Sequence, residues 1–277
     1  MDPLTHDFMR KALLISSLVA AVCGFLSSYL TLKGWALMGD AVSHSVMPGV
    51  VVAYALGLPF SLGAFIFGVG SVALIGFVKQ KSRVKEDTVI GLVFTGFFAL
   101  GIVLVSKIKS NIDLHSILFG SPLGISLSDV KQTVFISFLV VALLSVFRKD
   151  LMLYCFDPRH AKTVGINVFF LHYLLLTCLS LAAVVGLQSV GIILVVAMLI
   201  TPGATAYLLT DQFDKMTLIS VFSAIISSVI GIYFSFWFDL ETGGSIVLVQ
   251  TFIFLFAFLF APRYGIFKFK KLFSSYK

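Results

Sequence analysis

Charge is what this sequence has least of. Only 12% of its 277 residues are Asp, Glu, Lys or Arg, about half the share usual in soluble domains, which excludes an ordinary soluble domain. Cysteine is scarce as well. Cys23, Cys155 and Cys178 stand alone with no CxxC spacing, which excludes a closed four-cysteine metal site, and Cys23 and Cys178 lie in apolar runs as small hydrophobes. Tryptophan is limited to 2 positions against 29 Phe, so aromatic mass here is packing and lipid-facing bulk. Three chemical signatures are missing altogether. Without GxxxxGK[ST] the chain does not bind ATP through a P-loop, without HExxH it has no zinc-protease helix, and without GxSxG it has no nucleophile elbow. No catalytic residue is assigned, and if transport through this chain is active, a partner or a coupled ion must supply the energy.

What remains is apolar. Hydrophobic residues make up 59% and the mean hydropathy is +1.06. Runs of ~20 apolar residues are needed to span a bilayer, and they recur along the whole chain. The reading is an all-α polytopic membrane protein of about eight to nine transmembrane helices, organised as one transmembrane domain over residues 1–277. The expected spans are Ala12–Leu32, Leu37–Gly57, Phe60–Val78, Thr88–Ser106, Gln132–Phe147, Val168–Val185, Val190–Leu209, Met216–Trp237 and Ser245–Ala261. A turn is expected at Gly186–Ser189 and an interruption at Thr201-Pro202-Gly203. Two longer polar segments separate spans: Lys107–Lys131, with a short surface helix expected over Asp113–Phe119, and Arg148–Asn167. No cleavable signal is apparent in the opening residues, so Leu13–Leu32 is expected to be a retained span.

The net charge of +7 matters for where it falls and does not indicate a nucleic-acid patch. On alternating sides of nine spans, one side collects 15 of the 20 Lys and Arg: Lys33, the Lys79–Lys85 loop, Arg148–Lys162, Lys215 and the tail from Arg263. Excess Lys and Arg mark the cytoplasmic side, which puts the C-terminus inside and the N-terminus outside.

The polar exception inside an apolar run is the stretch Lys33–Gly49. It carries Asp40 and, four residues on, His44, on one helical face. Ionisable groups inside a bilayer are costly and usually face a bundle interior or a wet pathway. Carboxylate oxygen with imidazole nitrogen suits Mn, Fe(II) or Zn. Two readings are open: a cation pathway, or a structural Asp–His pair that locks two helices. Pro48 and the neighbouring glycines favour a broken helix. If Lys33–Gly39 is a true turn, Asp40 lies near the inner face; if the segment dips into the membrane, Asp40 approaches the midplane.

Asp157 to Gly165 reads as a capped helix of about two turns. Asp157 suits the N-cap, Pro158 the first helical position and Gly165 the stop. So short a helix is marginal alone, so it is either a docking element or a capped connector on the membrane surface.

Three ordered stretches carry a family resemblance: GDAVSHSVMPGV from Gly39, FDPRHAKTVGIN from Phe156 and AMLITPGATAYLLT from Ala197. Together they resemble the permease subunit of bacterial metal-ion ABC importers of the manganese, zinc and iron type. The manganese and chelated-iron branch is nearest, through KGWALMGDAVSH, SRVKEDT, LLTDQFD and LFAFLFAPRYG. The resemblance implies an inner-membrane permease that moves divalent transition metal, manganese or iron first and zinc next. It implies a second permease chain, identical or related, with Asp40 and His44 of each lining the shared pathway. Asp157, Pro158, Arg159, His160, Ala161, Lys162, Thr163, Val164 and Gly165 would form the coupling helix seated in a cytoplasmic ATPase dimer. A periplasmic or lipid-anchored metal-binding protein would deliver the ion. The rival is a proton-coupled secondary transporter, a class that often shows inverted repeats; no clear repeat is visible here.

The other histidines and acids read more plainly. Asp113 and His115 are expected in a solvated loop and His6 in a mobile terminus. His160 is read as a partner contact, and His172 as an interfacial anchor or packed polar residue. Asp239 and Glu241 either draw cations to a pathway mouth or form an exposed capped turn.

Overall fold

A computed structural model describes residues 7–107, 127–261 and 265. The expectations for His6, for Asp113–Phe119 with His115, and for most of the basic tail lie outside the described residues. Among those described there are twelve helices and no strand. They are α1 (Asp7–Lys33), α2 (Ala36–Ser45), α3 (Met47–Ala55), α4 (Phe60–Lys81), α5 (Glu86–Lys107), α6 (Leu127–Val146), α7 (Arg148–Phe156), α8 (Pro158–Thr163), α9 (Val168–Val190), α10 (Ile192–Leu209), α11 (Phe213–Phe238) and α12 (Thr242–Phe260). Counting α2 with α3 as one segment, 8 are long and apolar enough to cross a membrane, and Ile193–Leu209 is a shorter apolar helix.

The bundle is built around α1, which packs along α10 and α11. Its Val19, Cys23, Leu26 and Leu30 are fully buried. Inside a bilayer, helix association depends on close backbone approach and interhelical hydrogen bonds, since lipid is as apolar as leucine. Both devices are present. Gly49 of α3 and Gly63 of α4 meet so closely that a Cβ on either would overlap the other's carbonyl. Ser220 Oγ of α11 donates to the Gly24 carbonyl at 2.6 Å, and Ser28 and Thr217 share a hydrogen bond at 3.2 Å.

Several boundaries differ from those read in the sequence. The second span is two helices, broken at Val46 immediately before Met47-Pro48. The sixth span does not turn at Gly186–Ser189. It runs to Val190, and the chain reverses at Gly191, whose φ is +87°. Gly186 instead lets Val195 approach, because a Cβ there would overlap that side chain. The seventh span is continuous through Pro202. Beside the proline α10 is tied to α1: the Gly203 amide donates to Ser27 Oγ at 2.8 Å, and that hydroxyl donates to the Ile200 carbonyl at 3.3 Å. The polar segment before the fifth span ends earlier, because Lys131 already lies within α6. Arg148–Asn167 holds two helices where one was expected. The additional helix, α7, buries Leu151, Tyr154 and Cys155 on one face.

Candidate functional site

The turn between α1 and α2 positions the site. Gly34, at φ +74°, follows Lys33 and lets the chain double back into α2. Lys33 and Trp35 share a cavity wall with Lys79 of α4 and Pro158 of α8, so this turn sits at the end of the bundle that carries the basic loop. At 1.5 Å of rise per residue, Asp40 stands about 6 Å and His44 about 12 Å into the helix from Ala36. The segment is therefore a turn followed by a helix, with Asp40 near its start and His44 deeper.

Met38, Gly39, Ala41, Val42, Ser43 and Ser45 of α2 are buried, with Gly39 against Leu199 of α10. Asp40 and His44 occupy the partly open face, their side chains 33% and 19% exposed. His44 Nε2 and Asp40 Oδ1 lie 3.3 Å apart. That separation is longer than the ~2.8 Å of a charge-assisted hydrogen bond. Two donors each ~2.1 Å from one ion stand ~3.0 Å apart at a right angle and ~3.4 Å apart at the tetrahedral angle. The observed 3.3 Å falls in that range and is equally that of a loose imidazole–carboxylate pair. The imidazole is held edge-on between Phe94 and Phe98 of α5, with ring centroids at 5.0 and 5.3 Å. His44 Nδ1 is buried without a hydrogen-bond partner. Metal-bound histidines usually anchor that second nitrogen; here the ring is held by Phe94 and Phe98 and by Asp40 at its other nitrogen. No group of three or more His, Cys, Asp or Glu that could hold a metal occurs among the described residues.

The second site element is α8. Asp157 caps it, accepting from the amides of Arg159 at 2.9 Å and His160 at 3.1 Å. Those amides, that of His160 foremost, hold the Asp157 carboxyl below the usual carboxylate range. The helix closes with paired bonds, Ile166 N–H to the Ala161 carbonyl and Gly165 N–H to the Lys162 carbonyl, at 3.0 and 3.2 Å. Gly165 sits at φ +88°, the left-handed stop that glycine permits. Ala161 is buried, whereas Arg159, His160, Lys162, Thr163 and Val164 are exposed. A short, doubly capped helix thus presents a mixed basic and apolar face.

Between the two elements lies a cluster the sequence reading did not assemble. Tyr154 Oη and His172 Nδ1 are hydrogen-bonded at 2.8 Å. The His172 ring packs edge-on against Trp35, 5.2 Å between centroids, which settles it as a packed polar residue. Lys33 Nζ donates to the Tyr154 carbonyl at 3.3 Å and lies 4.1 Å from the Tyr154 ring centroid. The spacing of Leu151, Tyr154 and Cys155 is the helical signal that reveals α7 and with it Tyr154. At the opposite end Glu241 caps α12 through the Gly243 and Gly244 amides, and Asp239 ends α11 at φ +52°. These two acids form a capped turn.

Comparison with known proteins matches residues 5–261 to the ABC 3 transport family. The chain is 53% identical over 266 residues to MntB, a manganese transport system membrane protein of Synechocystis sp., covering 96% of this chain and 87% of that protein. It is 46% identical over 259 residues to YfeD, a chelated iron transport system membrane protein of Yersinia pestis, covering 94% and 87%. Among solved structures, PsaBC from Streptococcus pneumoniae in complex with Fab matches with a TM-score of 0.87 and 40% identity, covering 97% of both chains.

Proposed function

The chain belongs to the ABC 3 transport family, and from that premise we propose that it is the permease subunit of an importer for divalent transition metal, manganese or iron. The protein is an all-helical, multi-span membrane protein. One observation carries the metal assignment: a carboxylate oxygen and an imidazole nitrogen 3.3 Å apart on the partly open face of a broken helix. Two ligands are too few for a closed site and suit an ion that must leave again. A second permease chain apposed on this face supplies another Asp–His pair and completes an O/N site. Such a site accepts Zn(II) more tightly than Mn(II) at equilibrium, so selectivity resides in geometry or in a periplasmic or lipid-anchored delivery protein.

ATP hydrolysis belongs to a cytoplasmic ATPase dimer, and α8 with its exposed Arg159, His160, Lys162 and Val164 is the coupling helix that docks on it. Movement of α8 reaches α2 through Tyr154, His172 and Trp35. The basic end of the bundle faces the cytoplasm of the bacterial inner membrane, which leaves Asp239–Gly244 on the outer face.

Uptake of manganese into cells, measured for chains carrying Asp40→Ala or His44→Ala, tests the assignment. Both are expected to abolish uptake while the complex still assembles. Wild-type uptake in both would remove the pair from the pathway.

A further inference from the structure

The imidazole of His44 is anchored at one nitrogen only. Its Nε2 lies 3.3 Å from Asp40 Oδ1. Its Nδ1 is buried, and among the described residues no hydrogen-bond partner reaches it. The hydroxyls on either side are engaged with their own helix. Ser43 Oγ donates to the Gly39 carbonyl at 2.8 Å. Ser45 Oγ lies 2.9 Å from the Val42 carbonyl and 2.7 Å from Ser71 Oγ. On α5, Thr95 Oγ1 donates to the Gly91 carbonyl at 2.8 Å. What packs about the ring is apolar. Phe94 and Phe98, one turn apart on α5, stand edge-on to it at 5.0 and 5.3 Å and stack on each other at 6.1 Å.

That environment has a consequence for binding. A neutral imidazole carries its proton on one of the two nitrogens. When Nε2 gives its lone pair to a cation, the proton sits on Nδ1, and the hydrogen bond made there sets how well the ring binds. In metal sites that N–H is ordinarily donated to a carboxylate, a carbonyl or a water, which fixes the ring and raises its basicity toward the metal; loss of the partner weakens binding by about 10–100-fold. Beside Phe94 and Phe98 the N–H meets at best the π face of a phenyl, a weaker acceptor. A buried donor left without a partner opposes the state that creates it.

We propose that Phe94 and Phe98 set the affinity of the Asp40–His44 site. By withholding an acceptor from Nδ1 they keep His44 a weak ligand, so that a divalent transition metal is both bound and released within one transport cycle. Conduction needs a site favourable enough to enter and weak enough to leave. The two phenylalanines act through His44 as positioning residues, and their role rests on the metal assignment of the Asp40–His44 pair given under the proposed function.

The test is the binding of Mn(II) alone to the purified, assembled complex, with free Mn(II) counted by its electron paramagnetic resonance signal. Phe94→Gln and Phe98→Gln each place a carboxamide oxygen on the face of α5 that packs on His44. At least one of them is expected to lower Kd by about 10–100-fold. In reconstituted vesicles the same variant is expected to lower both the apparent KM and the maximal rate of uptake, because release becomes slow. Phe94→Leu and Phe98→Leu, which keep the surroundings apolar, are expected to bind no more tightly than the unaltered complex. Phe94→Tyr and Phe98→Tyr retain the ring and add an oxygen, and they carry the test if the Gln variants do not assemble. Adding His44→Ala to the tighter variant is expected to abolish its gain. A Kd that fails to fall in every oxygen-bearing variant that assembles overturns the proposal, as does equal tightening in the Leu variants. So does a gain that survives His44→Ala, since the new oxygen would then be a ligand itself. Failure of the metal assignment looks different: Mn(II) binding by the complex would be unmoved by Asp40→Ala and His44→Ala alone.

Discussion

Ser27 shows how much one hydroxyl does in a membrane core. It accepts from Gly203 and donates to Ile200, tying α1 to α10 on either side of Pro202. Ser27→Ala strips both bonds and is expected to lower stability by ~0.6–2 kcal/mol, read as a lower thermal midpoint of the purified chain in detergent. An unchanged midpoint would mean that water takes over both bonds. Gly203→Ala is expected to cost more, because its Cβ would overlap Ser27 and Thr31. The motif around Pro202 was visible in the sequence as a bend signal, but nothing in residues 197–210 announces the serine on α1 that bonds beside it. His44 divides the same way. Its spacing from Asp40 could be read directly, whereas the phenyl pair from α5 that fixes its ring comes from a helix some fifty residues away.

At the scale of the element, α8 is the case where local chemistry suffices. Its cap, its proline and its glycine stop all act within ten residues, and the observed helix has the boundaries they predict. The Asp157 carboxyl is held below its ordinary range by the amides it accepts. Because its native pKa is depressed, it stabilises the helix above the unfolded carboxylate pKa of ~3.9. That contribution is lost as pH falls through the native value. Protection of the Arg159 and His160 amides against hydrogen exchange, corrected for the intrinsic rate, is expected to hold from neutral pH down to mildly acidic and to drop below the carboxylate range. Asp157→Asn, which still caps, is expected to flatten that profile, and a profile unaltered by it would clear the carboxyl of this role. Gly165→Ala forces a side chain into the left-handed region at roughly 1–2 kcal/mol. It is expected to loosen coupling between ATPase activity and metal uptake, measured together in the reconstituted complex. α7 was missed for the opposite reason. Its polar residues suggest a connector, and only the face formed by Leu151, Tyr154 and Cys155, packed on the bundle, makes it a helix with a purpose.

For the whole molecule, the distribution of charge predicts which way it lies in the membrane. Fifteen of 20 basic residues on one side predict that α8 is cytoplasmic and that the turn at Leu240 is external. All three native cysteines are buried, so introduced ones can be labelled over a low background. On intact cells a membrane-impermeant maleimide is expected to label Leu240→Cys and to spare Lys162→Cys until the cells are opened. The reverse pattern would invert the orientation and detach α8 from any cytoplasmic ATPase.

The sequence by itself determined the helical class, a count of about eight to nine spans, the one-turn spacing of Asp40 and His44 and the caps of α8. Each of these is set by composition or by residues within a turn or two of one another. Tertiary structure alone decided where the sixth span ends, how α10 runs through its proline, and which side chains pack around Trp35 at the start of α2. The physical reason is range. A transmembrane run looks uniformly apolar along its length, and polar partners such as Ser27 with Gly203 or Tyr154 with His172 find each other only after the helices have packed.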